Sequence, residues 1–452
     1  MGGEYDGVLG DMADLIRGVS YRPDDLLPDG SAGVPLLRAT NIGDRRLDLS
    51  DVLYVPRGHV RDTQRLRLFD VVIAMSSGSQ QAVGRLAQLR QEWDGCVGAF
   101  CGVIRPKAES VYPEYLGYVL QSPAFRERIE TYAVGTAIMN LSRERILGFP
   151  LTLPSTEIQK AIAHILGTLD DKIELNRQMN RTLEEMARAI FKSWFVDFDP
   201  VHAKAAVRRE HPNWTNEQVS RTACPKLKPE IAELFPDAFE DSELGEIPKG
   251  WEVKPLPELI EVNPTRTLRK GEFAPYLDMA NMPTRGHSPD TVTERPFGSG
   301  MRFVNGDTLV ARITPCLENG KTAFVDFLTD GQVGWGSTEY IVLRPKPPLP
   351  VEFAYCLARS DGFRDFAIQR MTGSSGRQRV PAELLAHFRL VDADRSVTEL
   401  FGRLVQPLFA RAGAATRESR ILAALRDALL PKLISGELRV KDAEKFVERV
   451  AI

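Results

Sequence analysis

The stretch Asp70-Val71-Val72-Ile73-Ala74 returns 237 residues later as Asp307-Thr308-Leu309-Val310-Ala311. Outward from this pair, further segments match in the same order at offsets of 236 to 240 residues. They are 35–42 with 275–282, 84–87 with 320–323, 104–107 with 343–346, Glu114-Tyr115 with Glu352-Phe353, Ser122 with Ser360, and Gly135 with Gly373. Chance does not produce an ordered series at nearly constant spacing. The series therefore predicts an internal duplication.

Each copy has the pattern of a mixed α/β unit. Short apolar runs at 71–75 and 308–312 are separated from others by Gly, Asn and Ser, which predicts strands joined by turns. A helical stretch follows at 113–129 and 351–368, and a polar, Gly-containing loop comes after it. At about 150 residues, each copy has the size of an ordinary domain.

A long helix is predicted after the first copy. Between 157 and 195 there is no Pro and only one Gly, Gly167. Apolar residues recur there in two interleaved seven-residue series, which is typical of a coiled-coil helix. The series are Ile158, Ile165, Lys172, Met179, Met186, and Ile162, Leu169, Asn176, Leu183, Ile190. Lys172 and Asn176 interrupt the stripe midway, where a polar pair can fix the register of two helices.

A second long helix is predicted at 396–435, with a stripe of leucines. Its apolar face consists of Leu400, Leu404, Leu408, Leu422, Leu425, Leu429 and Leu433. Pro407 is expected to kink its first third, because proline removes one helical hydrogen bond. An isolated stripe of this length would be exposed to water, so we expect the two helices to pair rather than to be unrelated surface helices. The residues predicted to pair them are Ile158, Ile162, Ile165, Leu169, Asn176, Leu183, Ile190, Leu404, Leu422, Leu425 and Leu429.

Composition restricts the class of protein without identifying it. The net charge is −3, but residues 1–154 carry seventeen basic groups, sixteen of them Arg, and residues 251–395 carry eighteen, fourteen of them Arg. Local Arg-rich surfaces suit DNA, although a GC-rich genome also favours Arg codons. The five cysteines are scattered and form no CxxC pair, and the six histidines show no ligand spacing, so no metal site is predicted. The first residues do not resemble a signal peptide and no apolar run approaches ~20 residues, so a cytoplasmic protein is expected.

Polar and basic clusters follow the predicted strands and loops of both copies. Gln, Asn and Arg can contact base edges, and Ser, Thr and Lys can contact bases or phosphates. The candidates in the first copy are Arg45, Arg46, Ser76, Ser77, Ser79, Gln80, Gln81, Arg85, Thr136 and Asn140. Those in the second copy are Arg312, Thr314, Asn319, Lys321, Ser374, Ser375, Arg377, Gln378 and Arg379. The alternative interpretation is that these clusters are solvated turns and surface loops.

The sequence lacks the common catalytic motifs. No GxxxxGK[ST] loop occurs, so ATP hydrolysis by this chain is not predicted. No Asn/Asp-Pro-Pro-aromatic methyltransferase motif occurs, and Asn263-Pro264-Thr265 fails at its third residue. Pro289-Asp290 with Glu294-Arg295 is only a faint match to a nuclease pattern, in a loop-like stretch without the usual Lys. No catalytic residue is therefore predicted.

Three sequence motifs are typical of one protein family. They are Phe191-Lys192-Ser193-Trp194-Phe195-Val196-Asp197-Phe198-Asp199-Pro200, Ser242-Glu243-Leu244-Gly245-Glu246-Ile247-Pro248-Lys249-Gly250-Trp251, and Lys432-Leu433-Ile434-Ser435-Gly436-Glu437-Leu438. Together with the duplication, they resemble the specificity subunits of type I restriction–modification enzymes over nearly the whole chain. The resemblance implies two α/β (α+β) target-recognition domains, separated by two long antiparallel coiled-coil helices, in a pseudo-two-fold internal repeat. The implied domains are 1–154 (first recognition domain), 155–196 (first spacer helix), 197–245 (connection), 246–395 (second recognition domain), 396–436 (second spacer helix) and 437–452 (tail).

The resemblance also implies a function. Each domain would read one half of a bipartite site in double-stranded DNA, and the helices would set the spacing and dock two adenine-N6 methyltransferase subunits. Two ATP-dependent restriction subunits can join such complexes. AdoMet, ATP and Mg would then be bound by partner subunits, and this chain would hold no cofactor and catalyse nothing alone. Two alternatives stay open: a self-sufficient DNA-modifying or DNA-cleaving enzyme with an unrecognised centre, and a DNA-binding scaffold without a methyltransferase partner.

Overall fold

The architecture is described from a computed structural model of the chain. The structure describes residues 5–28, 30, 32–43, 45–77, 82–107, 109–132, 139–289, 291–374, 376–443 and 445. The chain divides into two compact units: Met1–Ile173 with Ile421–Ile452, and Glu174–Arg420. Each unit therefore contains one copy of the repeat together with a part of each long helix.

The helices and strands of the first copy run as follows. The strands are β1 (Tyr5–Val8), β2 (Ala13–Arg17), β3 (Gly33–Leu37), β4 (Leu53–Pro56), β5 (Val71–Ala74), β6 (Ser76–Ser77), β7 (Leu86–Gln88), β8 (Cys96–Val97), β9 (Cys101–Pro106), β10 (Met139–Asn140) and β11 (Pro150–Leu153). The helices are α1 (Leu9–Met12), α2 (Pro113–Leu120), α3 (Pro123–Tyr132), α4 (Arg143–Leu147) and the 40-residue α5 (Thr156–Phe195).

The rest of the chain comprises the connection and the second copy. The connection contains α6 (Asp199–Glu210), α7 (Asn216–Ala223), α8 (Pro229–Ala232) and the hairpin β12 (Phe239–Ser242) with β13 (Gly245–Pro248). The strands of the second copy are β14 (Glu252–Pro255), β15 (Ile260–Val262), β16 (Phe273–Leu277), β17 (Thr293–Pro296), β18 (Met301–Phe303), β19 (Thr308–Ala311), β20 (Thr322–Phe324), β21 (Gly334–Gly336), β22 (Tyr340–Pro345) and β23 (Arg389–Asp392). Its helices are α9 (Leu256–Leu259), α10 (Glu352–Ala358), α11 (Asp361–Gln369), α12 (Ala382–Leu385) and the 40-residue α13 (Arg395–Ile434).

The sheets of the two copies have the same strand order apart from one additional edge strand, β18, in the second copy, which confirms the internal repeat. The first copy has a four-stranded sheet β2-β9-β5-β7, a three-stranded sheet β4-β3-β8 and a pair β1-β11. The second has β15-β22-β19-β20, β17-β16-β21-β18 and β14-β23. The register is also equivalent: Val72 pairs with Val103 in one copy, and Leu309 pairs with Val342 in the other.

The central strands are apolar because both of their faces are buried. In β5, Val71 and Ile73 pack into one core, whereas Val72 and Ala74 pack into a second core on the opposite face. Successive side chains of a strand point to opposite faces, so a strand covered on both faces reads as a continuous apolar run. This explains why these strands are recognisable in the sequence.

A buried carboxylate precedes the central strand in both copies. Asp70 is bound by Arg105, whose Nη2 and Nε lie 2.6 and 2.9 Å from its two oxygens. Asp307 is bound by Arg344 and Arg266, each at 3.2 Å. The carboxylates of Asp70 and Asp307 are buried, so these ion pairs anchor the start of each central strand to the core.

The long helices pack against each other within each unit, in antiparallel directions. In the first unit Arg426 Nη1 of α13 donates to Asp170 Oδ1 of α5 at 2.6 Å. In the second, Asn176 Nδ2 of α5 donates to Glu418 Oε2 of α13 at 2.8 Å, and Asn176 is only 1% exposed. Residue numbers rise along one helix as they fall along the other, which confirms the antiparallel pair.

The buried seam of α5 departs from the strict seven-residue series. Ile162, Ile165 and Leu169 are buried, but Met186 is 48% exposed and Leu183 and Ile190 are half-buried. In the second half the seam consists of Ala187, Phe191, Trp194 and Phe195. A straight α-helix drifts by ~20° per heptad relative to a 3.5-residue repeat, so a strict series leaves the interface after a few turns.

The second helix is continuous through Pro407, whose ring is exposed. Leu422 and Leu429 are buried in the first unit, with Leu425 partly buried beside them. Leu404 is partly buried in the second unit. Ile158 likewise packs at the edge of the first core. No helix of the described residues is long and apolar enough to cross a membrane.

Candidate nucleic-acid interface

In the second copy, two segments that the sequence treats separately lie side by side. The residues after strand β19 contact the loop that follows Gly373. The backbone N–H of Val380 donates to the carbonyl oxygen of Arg312 at 2.9 Å, and that of Thr314 donates to Gln378 at 3.0 Å. These bonds bring Arg312, Thr314, Gln378 and Arg379 into one cluster, although more than sixty residues separate them along the chain.

The first copy contains the same junction at the equivalent residues. The backbone N–H of Leu141 donates to the carbonyl oxygen of Met75 at 2.9 Å. Strands β6 and β10 then pair antiparallel, with Ser76 opposite Asn140. Two predicted candidates, Ser76 and Asn140, are thus neighbours, and Asn140 is exposed.

A carboxylate joins the two arginines of the second cluster. Arg379 Nε lies 2.9 Å from both carboxylate oxygens of Glu339, and Arg312 Nε lies 3.2 Å from Oε2 of the same group. Glu339 was not among the candidates from the sequence. It immediately precedes the central strand β22, and an acidic residue in a turn carries no signal until the fold brings arginines to it.

Phe100 occupies the corresponding position in the first copy. Its carbonyl oxygen accepts from the backbone N–H of Met75 at 2.8 Å, as that of Glu339 accepts from Arg312 at 3.0 Å. The Phe100 side chain is 67% exposed. A single exposed apolar side chain is common on protein surfaces, so Phe100 is a candidate only because it lies at the junction. Phe100 was not predicted from the sequence, because a single aromatic residue in a turn is not a motif.

The loop after Gly373 is a tight turn with an exposed tip. Thr372 and Arg379 exchange two backbone hydrogen bonds, at 2.8 and 2.9 Å. Gly373 and Gly376 have φ values of +119° and +78°, which L-residues with side chains rarely adopt. Ser374 and Arg377 are exposed on this turn. The arrangement projects Arg377 into solvent while Arg379 is held against Glu339.

Other predicted residues differ in their availability. Lys321 Nζ donates to the carbonyl oxygens of Met279 and Ala280, so it stabilises a turn. Thr314 Oγ1 donates to Glu318 Oε1 at 2.9 Å, and Asn319 is exposed.

The three arginines predicted as DNA contacts in the first copy differ in their surroundings. Arg45 has φ +56° and its Nη1 lies 2.9 Å from Asp427 Oδ1 on α13. Arg46 and Arg85 are exposed. Ser79, Gln80, Gln81, Thr136 and Ser375 lie outside the described residues. All of these residues remain predictions as DNA contacts.

The charges at the junction come from arginine and glutamate. Burial raises the pKa of Cys101, which follows Phe100, to about 12, so this thiol is neutral at pH 7. Burial also raises the pKa of Tyr340, which follows Glu339. Across the residues that the structure describes, no group of three or more His, Cys, Asp or Glu side chains could hold a metal ion. The surface is suited to binding polar edges and phosphates.

Comparisons with known proteins agree with this architecture. The family model for the type I restriction modification DNA specificity domain matches residues 69–185. The type I restriction enzyme HindI specificity subunit of Haemophilus influenzae is 25% identical over 368 residues, covering 74% of this chain and 80% of that protein. The MjaIX specificity subunit of Methanocaldococcus jannaschii is 25% identical over 418 residues, covering 87% and 85%.

The chain is thus similar to type I specificity subunits over most of its length.

Further relatives extend the match within this family. The EcoKI specificity subunit of Escherichia coli is 31% identical over 205 residues, covering 42% of this chain and 43% of that subunit. The crystal structure of a type I restriction–modification S subunit from M. genitalium has a TM-score of 0.50, with 15% identity and 95% coverage of each chain. At 15% identity, the structural similarity supports the fold alone.

The family match begins at Phe69, one residue before the buried Asp70, and ends at Glu185 within α5. The matched residues therefore include the central strands, the Ser76–Asn140 junction and three quarters of the first long helix of this chain. The second copy is linked to the family by the longer alignments and by the equivalence of its strand order.

Proposed function

We propose that this chain is the DNA-reading subunit of a type I restriction–modification complex, and that each α/β copy reads one half of a bipartite site. One observation carries the proposal. Both copies build the same junction with the same backbone hydrogen bonds, but they present different side chains there. A duplicated scaffold with different exposed groups suits a site whose two halves differ in sequence.

The side chains at the two junctions have the chemistry of base recognition. Arg312 and Arg379 can pair with guanine O6 and N7, Asn140 with adenine, and an aromatic side chain such as Phe100 with the thymine methyl group. Exposed Arg377 suits a phosphate, which positions the protein without reading sequence.

The long helices are proposed to set the spacing of the half-sites and to dock the methyltransferase subunits. Their buried seams, with Asn176 bonded to Glu418, support a pair of fixed register. The partners in this proposal are double-stranded DNA, two adenine-N6 methyltransferase subunits and, optionally, two restriction subunits. AdoMet, ATP and Mg would be bound by those partners. This chain would direct the reactions of the partners to a DNA site without catalysing them.

The first test measures activity with and without the partner. The purified chain alone should neither methylate nor cleave DNA, but with the methyltransferase subunit of the same system it should direct methylation to one bipartite site, mapped by sequencing. Turnover by the chain alone, free of partner, would favour a self-sufficient enzyme. Methylation by the pair without sequence preference would contradict DNA reading by this chain.

A seven-residue insertion after Asn176 tests the spacing role. It keeps the apolar stripe in phase and lengthens α5 by about 10 Å, since an α-helix rises 1.5 Å per residue. With DNA rising ~3.4 Å per base pair, the spacer should lengthen by at most about three base pairs while both half-sites stay unchanged. An active variant with the original spacer would mean that the separation is determined elsewhere in the complex.

A further inference from the structure

The Glu339 carboxylate accepts hydrogen bonds from two guanidinium groups, and in each arginine the donor is the Nε atom. Arg379 and Arg312 each donate through Nε. Side-on binding of this kind occupies one edge of a guanidinium. Among the residues that the structure describes, the Nη groups at the far end make one hydrogen bond, of 3.3 Å from Arg379 Nη1 to the carbonyl oxygen of Arg377, and so remain for other acceptors.

The backbone around Glu339 is itself held in place. Its N–H donates to Ser337 Oγ at 3.1 Å, and its carbonyl oxygen accepts from the N–H of Arg312 at 3.0 Å. The carboxylate is thus attached to a restrained turn beside the central strand. A guanidinium bound to such a group loses less freedom when it contacts a further ligand, which is the basis of preorganisation.

Both arginines remain partly accessible in this arrangement. The Arg312 side chain is 30% exposed and that of Arg379 is 43% exposed, whereas Glu339 is mostly covered. Two cations and one anion leave the cluster with one net positive charge. Without the carboxylate, the two guanidiniums would repel each other and separate.

We propose that Glu339 is a positioning residue that holds Arg312 and Arg379 by their Nε edges, so that their Nη ends read a guanine in the major groove. This inference rests on the proposed DNA-reading function. The end-on pair of Nη groups matches the O6 and N7 acceptors of guanine, the commonest specific arginine contact with DNA. Glu339 does not touch the base and acts through the arginines.

The first experiment selects duplexes from a random library with the full-length chain in complex with its methyltransferase subunit. Wild type should select a bipartite motif containing a guanine in one half. Glu339→Ala should lose preference at that guanine by about 5- to 150-fold, while the other half stays unchanged. Affinity for non-specific DNA should stay the same or rise, and its salt dependence should steepen by up to about one, because a negative charge has been removed.

Two further measurements separate positioning from a merely structural role. Replacing the guanine by 7-deazaguanine removes the N7 acceptor, so it should weaken wild type but have little effect on Glu339→Ala. Glu339→Gln keeps the shape of the side chain and one acceptor oxygen, so its preference for guanine should lie between that of wild type and that of Glu339→Ala. Glu294→Ala on the exposed strand β17 makes the same charge change without contacting either arginine, and should keep full discrimination.

The outcomes distinguish this inference from the proposed function. If wild type selects no bipartite motif, the DNA-reading function itself is wrong. If wild type selects one and Glu339→Ala retains the same guanine preference, Glu339 does not position the arginines. Equal loss of affinity for all duplexes would also overturn the inference, since it would indicate damage to the fold of the second copy.

Discussion

The two copies of the repeat share their backbone and differ in their buried and exposed polar groups. At the junction, the second copy has Arg312, Arg379 and Glu339 in one ionic cluster, where the first has Met75, Asn140 and the exposed Phe100. Strand order and register are nevertheless equivalent, apart from the additional edge strand β18 of the second copy. We infer that backbone hydrogen bonds preserve a duplicated fold while its side chains diverge.

A second difference lies in how each copy is attached to the long helices. In the first unit, Tyr118 donates to Asp170 of α5 at 2.8 Å, and Arg90 Nη2 donates to Glu114 at 2.6 Å. In the second, Tyr355 donates to Glu184 of α5 at 2.8 Å, and Arg359 Nε donates to Tyr355 Oη at 3.0 Å. Equivalent structural needs are met by residues at non-equivalent positions.

These networks also change acid–base properties. Burial disfavours the Arg90 cation, but Tyr118, Glu114 and the aspartates of α5 outweigh it, so the pKa of Arg90 is raised. Burial raises the pKa of Tyr355 well above its ordinary value, and the adjacent Glu184 raises it further. Both groups therefore keep their protonated form at neutral pH.

The largest effect is expected at Arg359, which has no charged counterpart in the first copy. Its guanidinium donates to four carbonyl oxygens, those of Thr284, Gly286, Gly320 and Thr322, at 2.6 to 2.9 Å. Arg359→Ala would remove these four buried hydrogen bonds and the cation that lies 4.0 Å from the buried Glu184 carboxylate. We expect it to lower the free energy of unfolding of the second unit by about 3–5 kcal/mol.

The equivalent residue of the first copy is Gln121, which provides the matched control. Gln121→Ala should cost about 1 kcal/mol or less, because one neutral side chain is lost. Hydrogen exchange of the β19 and β22 amides reports on the second unit, and that of β5 and β9 on the first. Equal destabilisation of both units by the two variants would mean that Arg359 has no special role.

A middle-sized effect is expected for the exposed Arg377. Arg377→Ala should weaken binding to all duplexes alike and lower the salt slope by about one, if Arg377 contacts a phosphate. Arg379→Ala should instead cost about 1–3 kcal/mol at one base of one half-site. Asn140→Ala, in the first copy, should change only the other half-site. Unchanged affinity and salt dependence in all three variants would identify these as ordinary surface residues.

The smallest effect is expected at Glu352, which differs from its counterpart Glu114 in lacking an arginine. No basic side chain pairs with Glu352 within the part of the chain that the structure describes, and burial raises its pKa above the usual value. A carboxyl group whose pKa is raised by folding stabilises the fold below its unfolded pKa. That contribution is lost as the pH rises through the folded pKa.

Glu352→Gln should therefore raise the free energy of unfolding at pH 7 by about 1 kcal/mol. The gain should shrink as the pH falls toward 4, where the wild-type carboxyl group is protonated. Urea denaturation at both pH values measures the difference, and exposed Glu294→Gln should show no comparable gain. A Glu352→Gln variant that is less stable at pH 7 would show that the carboxylate has a favourable partner.

The repeat, the central strands and the two long helices could be predicted from the amino-acid sequence alone. Strands buried on both faces require continuous apolar residues, and paired helices require apolar residues at nearly regular intervals, so both leave a pattern in the chain. The clusters after β5 and β19 were also foreseeable, because polar residues follow a buried strand.

Which residues contact each other at the junctions follows from the folded chain and not from any pattern in the sequence. Glu339 and Phe100 could not be predicted, since they reach the junction through backbone pairing between distant segments. The exposure of Met186 was likewise hidden, because the drift of a straight helix from a seven-residue repeat accumulates over several turns. Periodic patterns record which face of an element is buried. Contacts between elements depend on where the folded chain brings each turn, and one residue in a turn leaves no periodic signal.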